Sequence, residues 1–388
     1  MSDEEELFTI TTKHLNSGMR GMPVGTCKTS YVDPLEGVHY VGYPVSDLAN
    51  MEEEDVIFLL LNKHLPTPEQ SITFRKELTH RAEEMPTGAL RVLESLTPGS
   101  GHPMDWLSIG IMALGAAETT GDVRIDSINL IARMPELMAR IFLLRGGKKE
   151  SLRPRKPELG LVENFVHMLG KDGEEAKKMT RVIKFFFILH MDHGGGNLST
   201  FSGKAVASGR ASVYASLASA MNALSGPLHG RANQSCLEFV QRIGTSEHSE
   251  IEKFVRSELA ARRPIYGFGH GVLRAEDPRA RLLIELGQKV CPDDPNFKIA
   301  KALREIVPEI LKEIPKISNP YPNVDLASGS LLHSVGFRKP DYYTTFFGWA
   351  RVAGICAQIM DERNSRDGRG TPIYRPKYLA ENQPKRRL

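Results

Sequence analysis

Residues 203–233 run GKAVASGRASVYASLASAMNALSGPLHGRAN, and their reading decides the fold. From Gly203 to Ser225 the chain is dominated by Ala, Ser and Gly, with little aliphatic bulk. Small side chains let helix axes approach closely. The run predicts one tightly packed helix, either central in the core or at a subunit interface. It breaks at Gly226-Pro227, because Pro fixes φ and rejects helix continuation while Gly lets backbone approach a ligand. Beyond the break, Leu228-His229-Gly230 presents a histidine on a turn that the packed helix holds in place.

Outward from this stretch the apolar spacing stays helical. Asp55–Leu61 is the apolar run of a buried helix, and Thr67-Pro68-Glu69-Gln70 is a helix start, with a capping Thr and Pro in the first turn. His102-Pro103-Met104-Asp105 opens another, and Ser127–Leu144, Asn164–Leu169 and Lys177–Met191 continue the pattern. Downstream, Cys236–Val240, Ser249–Leu259, Arg279–Val290, Asn296–Glu313 and Tyr342–Met360 do the same. Strand-like runs are confined to the N-terminal end. Phe8–Thr12 and Val38–Tyr43 predict a minor β-hairpin on an otherwise all-α protein.

Composition removes several classes of function. No run approaches the roughly 18 apolar residues that span a bilayer, so no membrane role is expected. A net charge of +3 is nearly neutral for this length and does not suggest a nucleic-acid binder. The four cysteines, Cys27, Cys236, Cys291 and Cys356, lie far apart and make neither a disulfide framework nor a paired metal spacing. The acidic start, Met1-Ser2-Asp3-Glu4-Glu5-Glu6, argues against a secretory signal or an Arg-rich transit peptide, and a cytoplasmic protein is the expectation.

Chemistry-bearing residues gather at Gly- and Pro-marked breaks. Besides His229 these are Gly267-Phe268-Gly269-His270 and Pro322-Asn323-Val324-Asp325. His190 and His193 are spaced i and i+3, which on a helix puts both on one face, but no third ligand follows and no metal is expected. Gly194-Gly195-Gly196-Asn197 ends that segment abruptly. Arg274, Arg279 and Arg351 add side chains that grip carboxylates bidentately. Histidines, an aspartate and arginines together suggest acid/base chemistry on a small polyanion.

Seven blocks, in order, give this set a family likeness. They are Gly18-Met19-Arg20-Gly21-Met22; His190-x-x-His193-Gly-Gly-Gly-Asn197; Gly226-Pro227-Leu228-His229-Gly230; Gly267-Phe268-Gly269-His270 with Asp277-Pro278-Arg279; Pro322-Asn323-Val324-Asp325; Phe347-Gly348-x-x-Arg351; and Arg375-Pro376-Lys377. The chain resembles the citrate synthase family along nearly its whole length, and most nearly its eukaryotic-like dimeric branch.

The resemblance implies an all-α fold of two domains, a large one over 1–230 and 337–388 and a small one over 231–336, closing on a cleft. It implies an acyltransferase that condenses acetyl-CoA with oxaloacetate and hydrolyses citryl-CoA, with acetyl-CoA as substrate and no cofactor. Asp325 would take a methyl proton, His229 would donate to the thioester oxygen, and His270 would polarise the oxaloacetate carbonyl. Arg279, Arg351 and Arg375 would hold carboxylates beside His193 and Asn197, with Arg375 reaching the partner site of a homodimer. Arg20, Arg274 and the loop Pro264, Ile265, Tyr266, Gly267, Phe268 and Gly269 would hold CoA. Three positions depart from the family pattern: Gly194 for an acid, Gly271 for an alanine and Arg231 for an apolar residue. The same residues suit 2-methylcitrate synthase acting on propionyl-CoA, a citryl-CoA lyase, or a non-enzymatic CoA- or citrate-binding regulator.

Overall fold

A computed structural model describes residues 6–148 and 152–379. Its small sheet lies near the N-terminus, with β1 (Ser30–Asp33), β2 (Gly37–Tyr40) and β3 (Tyr43–Pro44) antiparallel in that order. Tyr31 pairs with His39 and Val32 with Val38. The partner of β2 is therefore Ser30–Asp33 and not the expected Phe8–Thr12, which forms no strand and leads into a short 3-10 turn at Thr12–Asn16. Local turn chemistry explains the difference. The Asp33 carboxylate accepts from the amides of Leu35 and Glu36, each at 2.8 Å, and Gly37 supplies a φ of +89°. That closes a hairpin at once, whereas Phe8–Thr12 would have to close a long loop.

Sixteen α-helices, joined by turns and loops, make up most of the rest of the described residues. The first eight are α1 (Val45–Leu48), α2 (Glu53–Asn62), α3 (Pro68–Arg81), α4 (Thr87–Glu94), α5 (Pro103–Glu118), α6 (Val123–Arg145), α7 (Leu161–Met168) and α8 (Gly173–His190). Then come α9 (Leu198–Ser208), α10 (Val213–Leu224), α11 (Ala232–Ile243), α12 (His248–Ala260), α13 (Pro278–Val290), α14 (Pro295–Lys312), α15 (Asp325–Ser334) and α16 (Tyr343–Asn364). Thr67 caps α3 as expected, accepting from the Gln70 amide at 3.2 Å, and the Gln70 side chain completes a capping box by accepting from the Thr67 amide at 2.9 Å. Helices α4 and α15 have no counterpart in the sequence reading.

The stretch 203–225 is two helices rather than one. Between α9 and α10 the chain turns at Gly209-Arg210, where Arg210 has a φ of +65°, and Ser212 caps α10 by accepting from the Ala215 amide at 3.1 Å. Its small residues do bring axes together. A Cβ on Gly203 would stand 3.1 Å from the Ser216 carbonyl oxygen, and one on Gly115 of α5 would stand 2.5 Å from Tyr214 Cβ. So α10 is buried by its own chain, chiefly between α5, α9 and α16.

Two cores result. The larger takes in α2, α5, α6, α8, α10 and α16, with one face each of α13 and α15. The smaller is built by Cys236, Phe239, Val240, Ile251, Val255, Leu303 and Leu311 from α11, α12 and α14, with Leu326 of α15. Helix α16 runs through the larger core with every residue but Phe347 buried from Tyr343 to Met360, and it carries Arg351 there.

Candidate active site

Three chain breaks deliver the histidines. Helix α8 ends at His190, so His193 sits on the following loop and not one turn along the same helix face. Gly194 turns that loop with a φ of +70°, and Asn197 closes it by capping α9, its side-chain oxygen accepting from the Thr200 amide at 3.1 Å. At the second break, the chain leaves α10 and folds back on itself: the His229 amide donates to the Gly226 carbonyl at 3.0 Å, and that of Gly230 to the Leu224 carbonyl at 3.1 Å. A Cβ on Gly230 would stand 2.2 Å from that same oxygen. Arg231, where the family pattern has an apolar residue, locks the turn by donating to the Ser225 carbonyl at 2.6 Å.

The third break is laced to the segment before α15. The Gly269 amide donates to Tyr321 O and the Asn323 amide to Gly267 O, both at 2.9 Å, while the Asn323 side chain donates to Gly269 O at 2.9 Å. This lacing sets His270 beside the start of α15, where Asp325 stands. It falls on Gly267 and Gly269 rather than on Pro264, Ile265 or Tyr266.

Hydrogen bonds fix which ring nitrogen carries the proton. His229 Nε2 accepts from the Ser199 amide at 3.1 Å, so its proton sits on Nδ1. His270 Nδ1 accepts from the amides of Val272 and Leu273, both at 3.1 Å, so its proton sits on Nε2. The rings of His193 and His270 stand 5.2 Å apart. Burial, then Arg351, pushes His229 down to about 4. Burial followed by Arg279 lowers His270, and burial with Arg279 and Arg351 takes His193 well below its ordinary value. All three imidazoles are neutral donors at neutral pH. Asp325 moves the other way: burial raises it to about 6, with Arg279 opposing.

The two inner arginines differ. Arg279 is clamped by Asp277, with Nε–Oδ1 at 3.0 Å and Nη2–Oδ2 at 2.7 Å, both side chains buried. Asp277 also caps α13, its side chain accepting from the Arg279 amide. Arg351 is 2% exposed, donates from Nε to the His190 carbonyl at 3.1 Å and lies over the Phe347 ring. Among the described residues no carboxylate lies within ion-pair distance of it. Burial presses its guanidinium down to about 10, opposed by the more distant Asp192. A buried cation without a counter-ion is costly, and a carboxylate-bearing ligand removes that cost.

His193, His229, His270, Asp325, Arg279 and Arg351 thus share one electrostatic neighbourhood: Arg279 acts on His193, His270 and Asp325, and Arg351 on His193 and His229. Two expected residues, Arg20 and Arg375, stand outside it, and a third, Arg274, touches it only as the weakest of the charges acting on His270. Arg20 is exposed on the N-terminal segment. Arg274 is exposed, its guanidinium turned onto the carbonyls of Val272 and Leu273. Arg375 is exposed on the C-terminal segment, next to Tyr374, which docks on Ser208 of α9.

Other participants had no sequence signal. Tyr40 donates to Ile188 O at 2.9 Å and accepts from the Asp192 amide at 3.2 Å. Ser30 accepts from the Gly194 amide at 2.7 Å. The sheet thus braces the loop carrying His193 from more than a hundred residues away. A cavity of about 580 Å³ lies elsewhere, between α7, α8 and residues 49–52. Beside it Glu52, Glu53 and Glu54 form the one cluster with metal-like spacing among the described residues, and Lys184 already occupies it, 2.6 Å from Glu52 and 3.3 Å from Glu53.

A family model described as citrate synthase, C-terminal domain, matches residues 18–377. The chain is 36% identical over 400 residues to Citrate synthase 5, mitochondrial, of Arabidopsis thaliana, covering 95% of this chain and 83% of the relative. It is 35% identical over 406 residues to the mitochondrial citrate synthase of Citrus maxima, covering 97% and 84%. The crystal structure of citrate synthase from Thermotoga maritima MSB8 superposes with a TM-score of 0.79 at 31% identity, covering 95% of this chain and 97% of that one. The plant relatives overturn the expectation of a cytoplasmic protein, since they are named mitochondrial. That expectation rested on six acidic-leaning residues, and the buried site carries no mark of compartment. By the family match over most of its length and by these identities, the chain belongs to the citrate synthase family.

Proposed function

We propose that this chain carries out the citrate synthase reaction, condensing acetyl-CoA with oxaloacetate and hydrolysing citryl-CoA to citrate and CoA, with the following division of labour. Asp325 removes the methyl proton. A thioester methyl is a very weak acid, so the carboxylate succeeds only if the nascent enol oxygen is met by a donor as charge develops. His229 is that donor, through Nδ1–H. His270 directs Nε2–H at the oxaloacetate carbonyl and makes its carbon electrophilic. Arg279 and Arg351, with His193 and Asn197, hold the carboxylates, so that the carbon–carbon bond forms between two oriented partners.

The observation that carries this reading is Arg351, buried and, among the described residues, without a carboxylate partner, in one electrostatic neighbourhood with neutral imidazoles and a raised carboxyl. The smaller core lies wholly within 236–326 and supports a small domain over 231–336 that closes on a large one over 1–230 and 337–388. CoA would meet Arg20, Arg274 and residues 264–269 on closure. Arg375, exposed on a segment fastened to α9, would complete the site of a second copy.

A CoA-release assay on purified protein, comparing acetyl-CoA with propionyl-CoA in the presence of oxaloacetate, tests the activity. Release with acetyl-CoA is expected. Preference for propionyl-CoA moves the assignment to 2-methylcitrate synthase, and release with neither overturns it. Mixing H229A with R375A tests the shared site: heterodimers restore up to about a quarter of wild-type activity if Arg375 acts across the interface. No recovery places Arg375 in its own subunit's site or outside any.

A further inference from the structure

Asp192 is wholly buried, and no Lys or Arg side chain among the described residues lies within ion-pair distance of it. Neutral donors satisfy it instead. Thr29 Oγ1 donates to Oδ2 at 2.5 Å, Gln358 Nε2 donates to Oδ1 at 2.8 Å, and so does the amide of His193, also at 2.8 Å. These donors come from three places: the segment before β1, the middle of α16, and the loop bearing His193. Gln358 Nε2 also lies 3.2 Å from the Gly194 carbonyl. Gly194 O in turn accepts from the Asn197 side chain at 3.0 Å, and Asn197 Oδ1 accepts from Ser199 Oγ at 2.9 Å. Ser199 is the residue whose amide fixes His229. One hydrogen-bonded path therefore runs from Thr29 through Asp192 to the His193 loop and on to His229.

We infer that Asp192 is a positioning residue: held by Thr29 and Gln358, its carboxylate fixes the His193 backbone and thereby the oxaloacetate side of the cleft. It does not touch the reacting atoms. A carboxylate fits this place better than a neutral acceptor for two reasons. Three donors converge on its two oxygens, and charged acceptors make the stronger bonds. Asp192 is also the first of the groups, ahead of Tyr40, that oppose the effect of burial on the Arg351 guanidinium. Close approach is built in, because a Cβ on Gly354, one turn before Gln358 on α16, would stand 2.3 Å from Met191 O and 2.7 Å from Asp192 Cβ. This placement rests on the assignment of His193 to oxaloacetate.

The test uses the outer members of the path: Thr29, which reaches the His193 loop through Asp192, and Gln358, which meets both Asp192 and the Gly194 carbonyl. Thr29→Val removes one hydroxyl at constant shape, Thr29→Ser restores it, and Gln358→Met removes the second donor. T29V and Q358M are each expected to raise KM for oxaloacetate by about tenfold, the loss of a hydrogen bond to a charged group. KM for acetyl-CoA should stay within about twofold, since that substrate meets groups the path reaches last. T29S should return KM for oxaloacetate to the wild-type value. An equal rise in both KM values, or a T29S variant no better than T29V, overturns the inference, and so does an unchanged KM for oxaloacetate in both T29V and Q358M. Wild-type turnover is read first. A wild type that releases no CoA rejects the citrate synthase assignment, whereas normal wild-type turnover with indifferent variants rejects the role of Asp192 alone.

Discussion

The amide of Ser199 donates to Nε2 of His229 across 3.1 Å, and the ring's remaining proton is thereby placed on Nδ1. The bond links the first turn of α9 to the break after α10, thirty residues later. It commits His229 to donate in one direction. A side-chain amide can imitate either nitrogen: Asn reaches about as far as Nδ1, Gln about as far as Nε2. His229→Asn should therefore keep more turnover than His229→Gln, although the longer side chain is the closer match in size. His229→Ala should lose on the order of 10²–10³ in kcat, as removal of an oxyanion donor does. Steady-state CoA release by the three variants gives the order, and Gln at or above Asn would reject the Nδ1 assignment.

Asp325 carries a consequence for both rate and stability. Burial raises its carboxyl from 3.8 to about 6, so the base is lost to protonation as pH falls through about 6, and kcat/KM should show an acid limb there. The native state binds this proton more tightly than the unfolded chain does. The raised carboxyl therefore favours the native state below about pH 4 and costs it stability above about pH 6. Asp325→Asn should abolish turnover yet unfold at higher denaturant than wild type at pH above about 7, by up to about 3 kcal/mol. The gap should narrow as pH falls below about 6. A variant that is less stable than wild type at neutral pH would contradict the burial argument.

Arg351 predicts a ligand effect. Its guanidinium is buried with no carboxylate partner among the described residues, so a dicarboxylate should stabilise the folded protein by mass action and raise the thermal midpoint with concentration. Arg351→Met should remove most of that rise and lower kcat/KM for oxaloacetate on the order of a hundredfold or more, as expected when one member of a buried charge pair is truncated. Differential scanning fluorimetry with and without oxaloacetate reads the first outcome, initial rates the second. A full ligand-induced shift in R351M would place the carboxylates elsewhere.

Which of these groups could be read from sequence follows from how they are held. His229, His270 and Asp325 each lie at a break marked by Gly or Pro, and breaks of that kind are visible locally. Asp277 lies in a block that the sequence marks, but its capping of α13 and its clamp on Arg279 are seen only in the structure. Thr29, Ser30 and Tyr40 act on residues about 150 positions away through single hydroxyls, and neither spacing nor composition registers that. The same limit cost the sheet its first strand, since β-propensity at Phe8–Thr12 could not reveal that Asp33 closes a nearer turn. The stop inside 203–225 was missed because one residue, Arg210 at a φ of +65°, ends α9 within a run of residues that all tolerate a helix.

Gly354 yields a prediction from packing alone. It lies on α16, three residues after Arg351 and four before Gln358, and the loop bearing Asp192 crosses the helix at this point. A methyl group there would stand 2.3 Å from Met191 O and 2.7–2.8 Å from Asp192 Cβ and Cγ. Backbone and a wholly buried carboxylate cannot move aside as a flexible side-chain end can, so helix and loop must separate. Gly354→Ala gains about 1 kcal/mol of helix propensity. Overpacking against rigid neighbours costs about 1–3 kcal/mol or more. The steric term is expected to win, giving a lower unfolding midpoint together with a higher KM for oxaloacetate. Gly368→Ala is the wrong control because its φ of +79° adds backbone strain. Gly196→Ala, with open space around its Cβ and no positive φ, is the right one and should leave the unfolding midpoint unchanged. If G354A matched wild type in both midpoint and KM, the loop would not be seated against α16 as closely as these distances require.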